Sequence, residues 1–278
     1  MSKAYEFRKL YADVVDDSGR VAVLYLTYVR LAGVWSGRAS VELYTPDGQR
    51  TLMHATEPAA LIDTNAALTD IPSEVSLPNG VFRLELEPAL GAWQPARPPP
   101  ADALHWHVMA ARTGALARWP GGELSGVGYV DWVHITKPTR LLGLHELLWG
   151  RAHLPDRTVV FEHLTTVGGD QWDVGIEWHL DESAPRKLTG PVRLDAGGHG
   201  VIPLSGESLK LTPDRVLHDG DAFDPERVPR VVDRLACEML GGRTTETRWL
   251  GRAHLGGMVA PCLYERVRFG QSAPSSGV

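Results

Sequence analysis

Leu104-His105-Trp106-His107-Val108-Met109-Ala110-Ala111 and Gly128-Tyr129-Val130-Asp131-Trp132-Val133-His134-Ile135 decide the reading of this chain, because strand-forming residues there surround a set of polar groups. Successive side chains on a strand point to opposite faces. Tyr129 and Asp131 therefore share one face of their strand, and Trp132 and His134 share the other. By the same rule His105 and His107 lie together, with Trp106 opposite them.

Working outward, similar runs recur with turn residues between them: Val21 to Val29, Arg38 to Tyr44, Val81 to Leu86, Thr158 to Leu164 and Trp172 to Leu180. Pro46-Asp47-Gly48 and Pro78-Asn79-Gly80 supply turn chemistry at two junctions. Short strands at this spacing predict a mostly β protein, a sandwich or barrel rather than βαβ units. The 278 residues exceed one common domain, so two packed β subdomains are expected. The stiff Gln94-Pro95-Ala96-Arg97-Pro98-Pro99-Pro100-Ala101-Asp102 stretch sets their boundary, giving subdomains over 1–95 and 103–270. One amphipathic helix is expected over 225–240, where Val228, Val231, Val232, Leu235, Ala236 and Met239 repeat at helical spacing, and a loose tail over 271–278.

Hydrophobic residues make up 43% and charged residues 22%, enough for a large core. A net charge of -6 without a basic run argues against nucleic acid as a partner. Cys237 and Cys262 lie in no zinc-like spacing, so a reduced cytoplasmic protein is the natural reading, with a disulfide between them left open. Met1 to Lys9 is polar where a signal peptide needs an apolar core, and no run approaches the roughly 18 apolar residues of a membrane helix. A greasy substrate would be met in a pocket or by transient contact with a membrane surface.

The chemistry centres on Asp131. In an apolar cavity desolvation would disfavour its carboxylate and leave a neutral acid, with Tyr129 beside it. The plain alternative is an exposed Asp131, or one bonded to a turn. His105 and His107 would relay a proton or orient Asp131, while Trp106 would steady a cation through its π face. His105-x-His107 has no third ligand at a recognised spacing, so no metal is expected. Trp132 reads as a wall residue unless a bulge at Gly126 or Gly128 turns the strand. In Trp149-Gly150-Arg151-Ala152-His153-Leu154, Arg151 is expected to pair with Glu146, Glu162 or Asp131. No phosphate loop and no Gly-x-Ser-x-Gly elbow is present, so neither nucleotide-dependent nor ordinary serine-hydrolase chemistry is expected.

At these residues the chain resembles the bacterial carotenoid 1,2-hydratase (hydroxyneurosporene synthase) and AttH-like family. The likeness rests on Gly128-Tyr129-Val130-Asp131 and Trp149-Gly150-Arg151-Ala152-His153-Leu154 and extends from about Leu104 to Phe269. His105-Trp106 lacks the residue that separates the family's His-x-Trp pair, so one of the two is re-used or a bulge compensates. The resemblance implies two lipocalin-like β subdomains and an enzyme without cofactor acting on an isoprenoid or polyene. It makes Asp131 the proton donor for hydration, isomerisation or cyclisation, with Tyr129 as its support and His105 and Trp106 across the site. His107, Trp132, Trp149, Arg151 and His153 would line the substrate. A pericyclic cyclase of Diels-Alder type and a non-catalytic lipid or pigment carrier are the alternatives on the same scaffold.

Overall fold

A computed structural model describes residues 5–57, 74–87, 90–95, 101–222 and 242–271. The chain forms two lipocalin-like units, each an antiparallel sheet curled around its own core, and the division falls between Lys137 and Pro138. In the first unit the strands are β1 (Tyr5–Val15), β2 (Val21–Leu31), β3 (Val34–Tyr44), β4 (Arg50–Glu57), β5 (Glu74–Leu77), β6 (Gly80–Leu86), β7 (Leu104–Trp119) and β8 (Gly122–Ile135). Their order in the sheet is β4-β3-β2-β1-β8-β7-β6-β5. The edge strands β4 and β5 approach each other, which curls the sheet nearly shut. Period-2 alternation sends Leu10, Ala12, Val14, Leu24, Leu26, Val41, Phe82 and Val130 to the concave side as one apolar core.

The second unit contains β9 (Leu144–His153), β10 (Arg157–Thr166), β11 (Gln171–His179), β12 (Arg186–Lys187), β13 (Arg193–Leu194), β14 (Gly200–Pro203), β15 (Ser208–Asp221), β16 (Arg243–Leu255) and β17 (Met258–Gln271). Its order, β12-β11-β10-β9-β17-β16-β15-β14-β13, follows the plan of the first unit, with the opening strand paired to both the next strand and the last. The segment between β12 and β13 stitches the two edges together. Leu188 N–H donates to Gly175 O (3.2 Å), and the Thr189 hydroxyl donates to Leu204 O (2.9 Å). Phe161, Leu211, Trp249, Ala253, Cys262 and Tyr264 fill the core. Cys262 is a buried free thiol whose pKa is pushed up by that burial; Cys237 lies outside the described residues.

The boundary expected in the proline-rich stretch is corrected. β7 pairs with β6, and β8 pairs with β1 from Val15 to Phe7, so residues 104–135 complete the first sheet rather than open the second. The expected boundary thus falls inside one unit, and the described residues before it bridge β7, Leu90 to Arg112 and Trp93 to Val108. The expected helix at 225–240 lies outside the described residues, as do tail residues 272–278 and the prolines at 98–100. Among the described residues the α-helix is the four-residue α1 (Thr139–Leu142), and no helix is long and apolar enough to cross a membrane. The turn at Pro46-Asp47-Gly48 closes as expected, with Gly48 at φ 88° and its N–H donating to Thr45 O (3.0 Å).

Core packing in the second unit leaves no room at Gly150. A Cβ there would stand 2.5 Å from both Phe161 Cζ and Tyr264 Cβ. Gly150→Ala should therefore cost about 1–3 kcal/mol of stability by overpacking. A urea melt with an unchanged midpoint would contradict this account of the core.

Candidate active site

β8 places Tyr129 and Asp131 on the side of the first sheet opposite its core, and register decides what surrounds them. β1 sets Tyr11 across from Asp131, and β2 sets Tyr25 across from Tyr11. On the other flank Val108 of β7 faces Asp131 and Trp106 faces Val133. The β7–β8 register shifts between Val108 and Ala110, so Ala110 pairs with Val130 and joins the core while Trp106 and Val108 stay on the outer face. Both register shifts, between Val108 and Ala110 and between Ala110 and Thr113, add a residue to β7 rather than to β8 at its glycines.

Asp131 sits in the middle of a row of aromatic rings. Tyr25 meets Tyr11 edge-on (5.3 Å between centroids), Tyr11 meets Tyr129 (6.2 Å), and Trp93 meets Trp106 at right angles (5.8 Å). Asp131 is 3% exposed, Trp106 1% and Tyr129 0%. The Trp106 indole Nε1–H donates to Asp131 Oδ2 (2.9 Å), and the Tyr129 hydroxyl donates to the same oxygen (3.0 Å). Burial acts against the charged carboxylate, and the two donors act for it. Neither of these two donors carries a charge.

The expected faces are found, and they divide the expected site. Trp106 takes the place beside Asp131. His105 and His107 lie on the core side of β7, opposite His134 and Trp132, so they cannot orient Asp131; this corrects the expected proton relay. Trp132 likewise points away from Asp131. His105 and Trp132 instead stack near His134 (5.8 and 5.4 Å), whose Nε2 meets Glu6 Oε1 at 2.9 Å. Glu6 also receives Arg8 Nη2 (2.5 Å) and Arg30 Nη2 (2.9 Å). Burial opposes the Glu6 charge, but the hydrogen bond from Arg8 and the fields of Arg8, His134 and Arg30 outweigh it and hold the carboxyl below the usual glutamate range. Burial holds the His107 pKa below its usual value.

Trp149, Arg151 and His153 occupy one face of β9 in the second unit, the face turned from that unit's core. Trp149 stands across from Glu162 and Glu265, and Arg151 across from Val160 and Leu263. The His153 Nδ1 meets the Thr158 hydroxyl at 3.1 Å. Arg248 Nε donates to Glu265 Oε2 (3.2 Å), so two arginines and two glutamates are buried around Trp149. Glu146, one partner expected for Arg151, engages Arg266 and Arg268. Tyr11 and Trp93 were not picked out by sequence: one follows a charged stretch and the other precedes the prolines.

Tyr129→Phe should cost about 1–3 kcal/mol because it takes one hydrogen bond from a buried carboxyl. In an Asp131→Leu background, where the bond to Oδ2 is already gone, the same change should cost less; equal costs in both backgrounds would refute the coupling. The Glu6 carboxyl has a lowered folded-state pKa, so its stabilising contribution is complete above the unfolded value of about 4.3 and disappears as pH falls through the folded one. Glu6→Gln should thus be less stable than wild type at pH 7, and the gap should close below about pH 4. A gap independent of pH would count against it.

No protein-family model and no curated protein sequence matches the chain. Solved structures do. One assigned as AttH, from Nitrosomonas europaea, is similar over 97% of this chain and 93% of its own, with 12% identity and a TM-score of 0.57. CghA with Sch210972 is similar over 96% of this chain and 89% of its own, at 12% identity and a TM-score of 0.58. CghA in a second structure gives 10% identity and 0.53, covering 98% and 91%. The chain shares the two-unit β fold of these proteins from end to end.

Proposed function

We propose that this chain is an enzyme that uses Asp131 as a general acid on an unsaturated, hydrophobic small molecule of isoprenoid or polyene type. One observation carries the reading: a buried carboxyl set among aromatic rings and held by two neutral donors. With Oδ2 accepting from Trp106 and Tyr129, the proton to be given belongs on Oδ1. Transfer to the less substituted carbon of a trisubstituted double bond breaks the Oδ1–H bond, forms a C–H bond, and leaves a tertiary cation opposite a carboxylate. Faces of Trp106, Tyr129 and Tyr11 stabilise that cation. Water then adds to it and returns a proton to Asp131, which closes a hydration without any cofactor. Loss of a neighbouring proton instead gives isomerisation, and attack by a second double bond gives cyclisation.

The shared fold supports a hydrophobic-ligand protein of the AttH-like kind, and CghA, on the same fold, was determined with Sch210972. Fold alone does not select the reaction. On this reading Trp149, Arg151 and His153 are kept as substrate-lining candidates, and the enzyme works in the cytoplasm on a small hydrophobic substrate met in a pocket or at a membrane surface.

Mass spectrometry of organic extracts from wild type and Asp131→Asn, each purified from the native host, tests the proposal together with turnover of the extracted compound in D2O. The expected product carries one deuterium on carbon, and Asp131→Asn should slow turnover by at least about 100-fold with its melting temperature near wild type. A product without carbon-bound deuterium and full activity in Asp131→Asn would overturn acid catalysis. That outcome would fit a pericyclic cyclase whose aromatic row only orients the substrate.

A further inference from the structure

The outer face of the first sheet, which carries Asp131, also carries a cation that the acid chemistry does not use. Lys9 lies two residues before Tyr11 on β1, across from Val133 and Thr27, which makes it a diagonal neighbour of Asp131. Its ammonium hangs over the Tyr11 ring (5.7 Å from Nζ to the centroid) and the Tyr25 ring (5.4 Å). Tyr25 belongs to β2 and Asp131 to β8, on opposite sides of β1, so the side chain leans away from the acid. The aromatic row opens in the same direction. Asp131, Tyr129 and Tyr11 are buried, whereas Tyr25, Thr27 and Lys9 are half-buried and reach solvent.

One observation and one constraint point to an anion on the ligand. Among the described residues no carboxylate forms an ion pair with Lys9, Asp131 included; its partners are the two rings. The other carboxyls of this face lie elsewhere. Asp13 stands four residues further along β1, across from Tyr129, and Glu42 is held by Arg50 and the Tyr44 hydroxyl. The anionic groups are thus gathered toward one end of the face, and Lys9 marks the other. The constraint is electrostatic: rings that steady a developing cation work against a bare ammonium beside them, and a carboxylate on the ligand cancels that opposing field.

We propose that Lys9 anchors an acidic head group, which narrows the substrate class to an unsaturated carboxylic acid. Its carboxylate sits at the half-buried end beside Lys9 and Tyr25, and its hydrocarbon chain follows the rings from Tyr25 past Tyr11 toward Asp131. A charge-assisted bond from the ammonium holds the head more strongly than a neutral group is held, and the rings shelter the chain from water. Lys9 touches the substrate and selects it, while the proton transfer stays with Asp131. The reaction that follows rests on the proposed acid; the head contact rests on Lys9.

Isothermal titration of the full chain with geranate and with geraniol, which share one diene chain and differ in the head, tests the assignment at about pH 7, where the carboxylate is ionised. Wild type should bind geranate at least about tenfold more tightly than geraniol, and added salt should narrow the difference. Lys9→Met, which keeps an aliphatic stem on the rings and removes the charge, should weaken geranate about tenfold and leave geraniol unchanged. Lys9→Arg should keep the preference. Asp131→Asn should prefer geranate as wild type does, so the head contact is read apart from the acid. Equal affinity for the two probes, no binding of geranate, an undiminished preference in Lys9→Met or a lost one in Asp131→Asn would overturn the assignment of Lys9, and the deuterium test decides the acid independently.

Discussion

The pairing of β1 with β8 is the constraint on which the first unit depends. It joins the start of the described chain to Ile135 and turns two meanders of four strands into one continuous sheet. Bringing together residues so distant in sequence costs loop-closure entropy, and the burial on both faces of β8 is what offsets it. The contact is close enough to dictate sequence. A Cβ on Gly126 would stand 2.2 Å from Val15 O, and one on Gly128 would stand 3.0 Å from Asp13 O and 2.8 Å from Ala115 Cβ. Ser125-Gly126-Val127-Gly128 is thus a run of close approach rather than a flexible introduction to the strand.

The same pairing places both polar constellations. Set opposite Tyr11, Asp131 enters the aromatic row; set opposite Arg8, His134 enters the cluster around Glu6. A slip of one residue would exchange the two faces and put Asp131 into the apolar core. The second unit repeats the device with β9 and β17, and β9 is also buried on both sides. Leu148, Gly150 and Ala152 face that core, while Trp149, Arg151 and His153 face away. Two units built on one plan share almost no visible sequence repeat, because the plan requires only alternation and closure.

Where alternation was clean, the sequence was readable. β2, β8, β10 and β11 were expected within a few residues of their observed ends at most positions, and the faces of Tyr129, Asp131, Trp106 and His105 followed from period 2 alone. β1 was overlooked because Glu6, Arg8, Lys9 and Asp13 make it read as a polar terminus. In the fold those charges sit within a strand because Arg8 and Arg30 pair with Glu6, and Lys9 Nζ lies over the rings of Tyr11 and Tyr25 (5.7 and 5.4 Å). The misplaced boundary has the same root. Prolines mark stiffness, not separation, and only the long-range pairing of β8 with β1 shows to which unit a segment belongs. His105 was linked to Asp131 by its place next to Trp106, yet adjacent residues on a strand face opposite ways, and the bulge on β7 falls too late to rescue it.

Two buried carboxylates on neighbouring strands show why chemistry is assigned to one of them. Glu6 is held by Arg8, Arg30 and His134, an arrangement that favours the ion, and an acid so held gives up its proton to bulk water long before neutral pH. The bonds to Asp131 Oδ2 come from an indole and a phenol, which orient the carboxyl while adding no full positive charge. Burial among aromatic rings works against the charged form, which is the premise of the proposed acid. On the proposed reading, a proton kept by burial is passed to a substrate carbon, and Trp106 and Tyr129 are aligned to receive the charge that develops on Asp131.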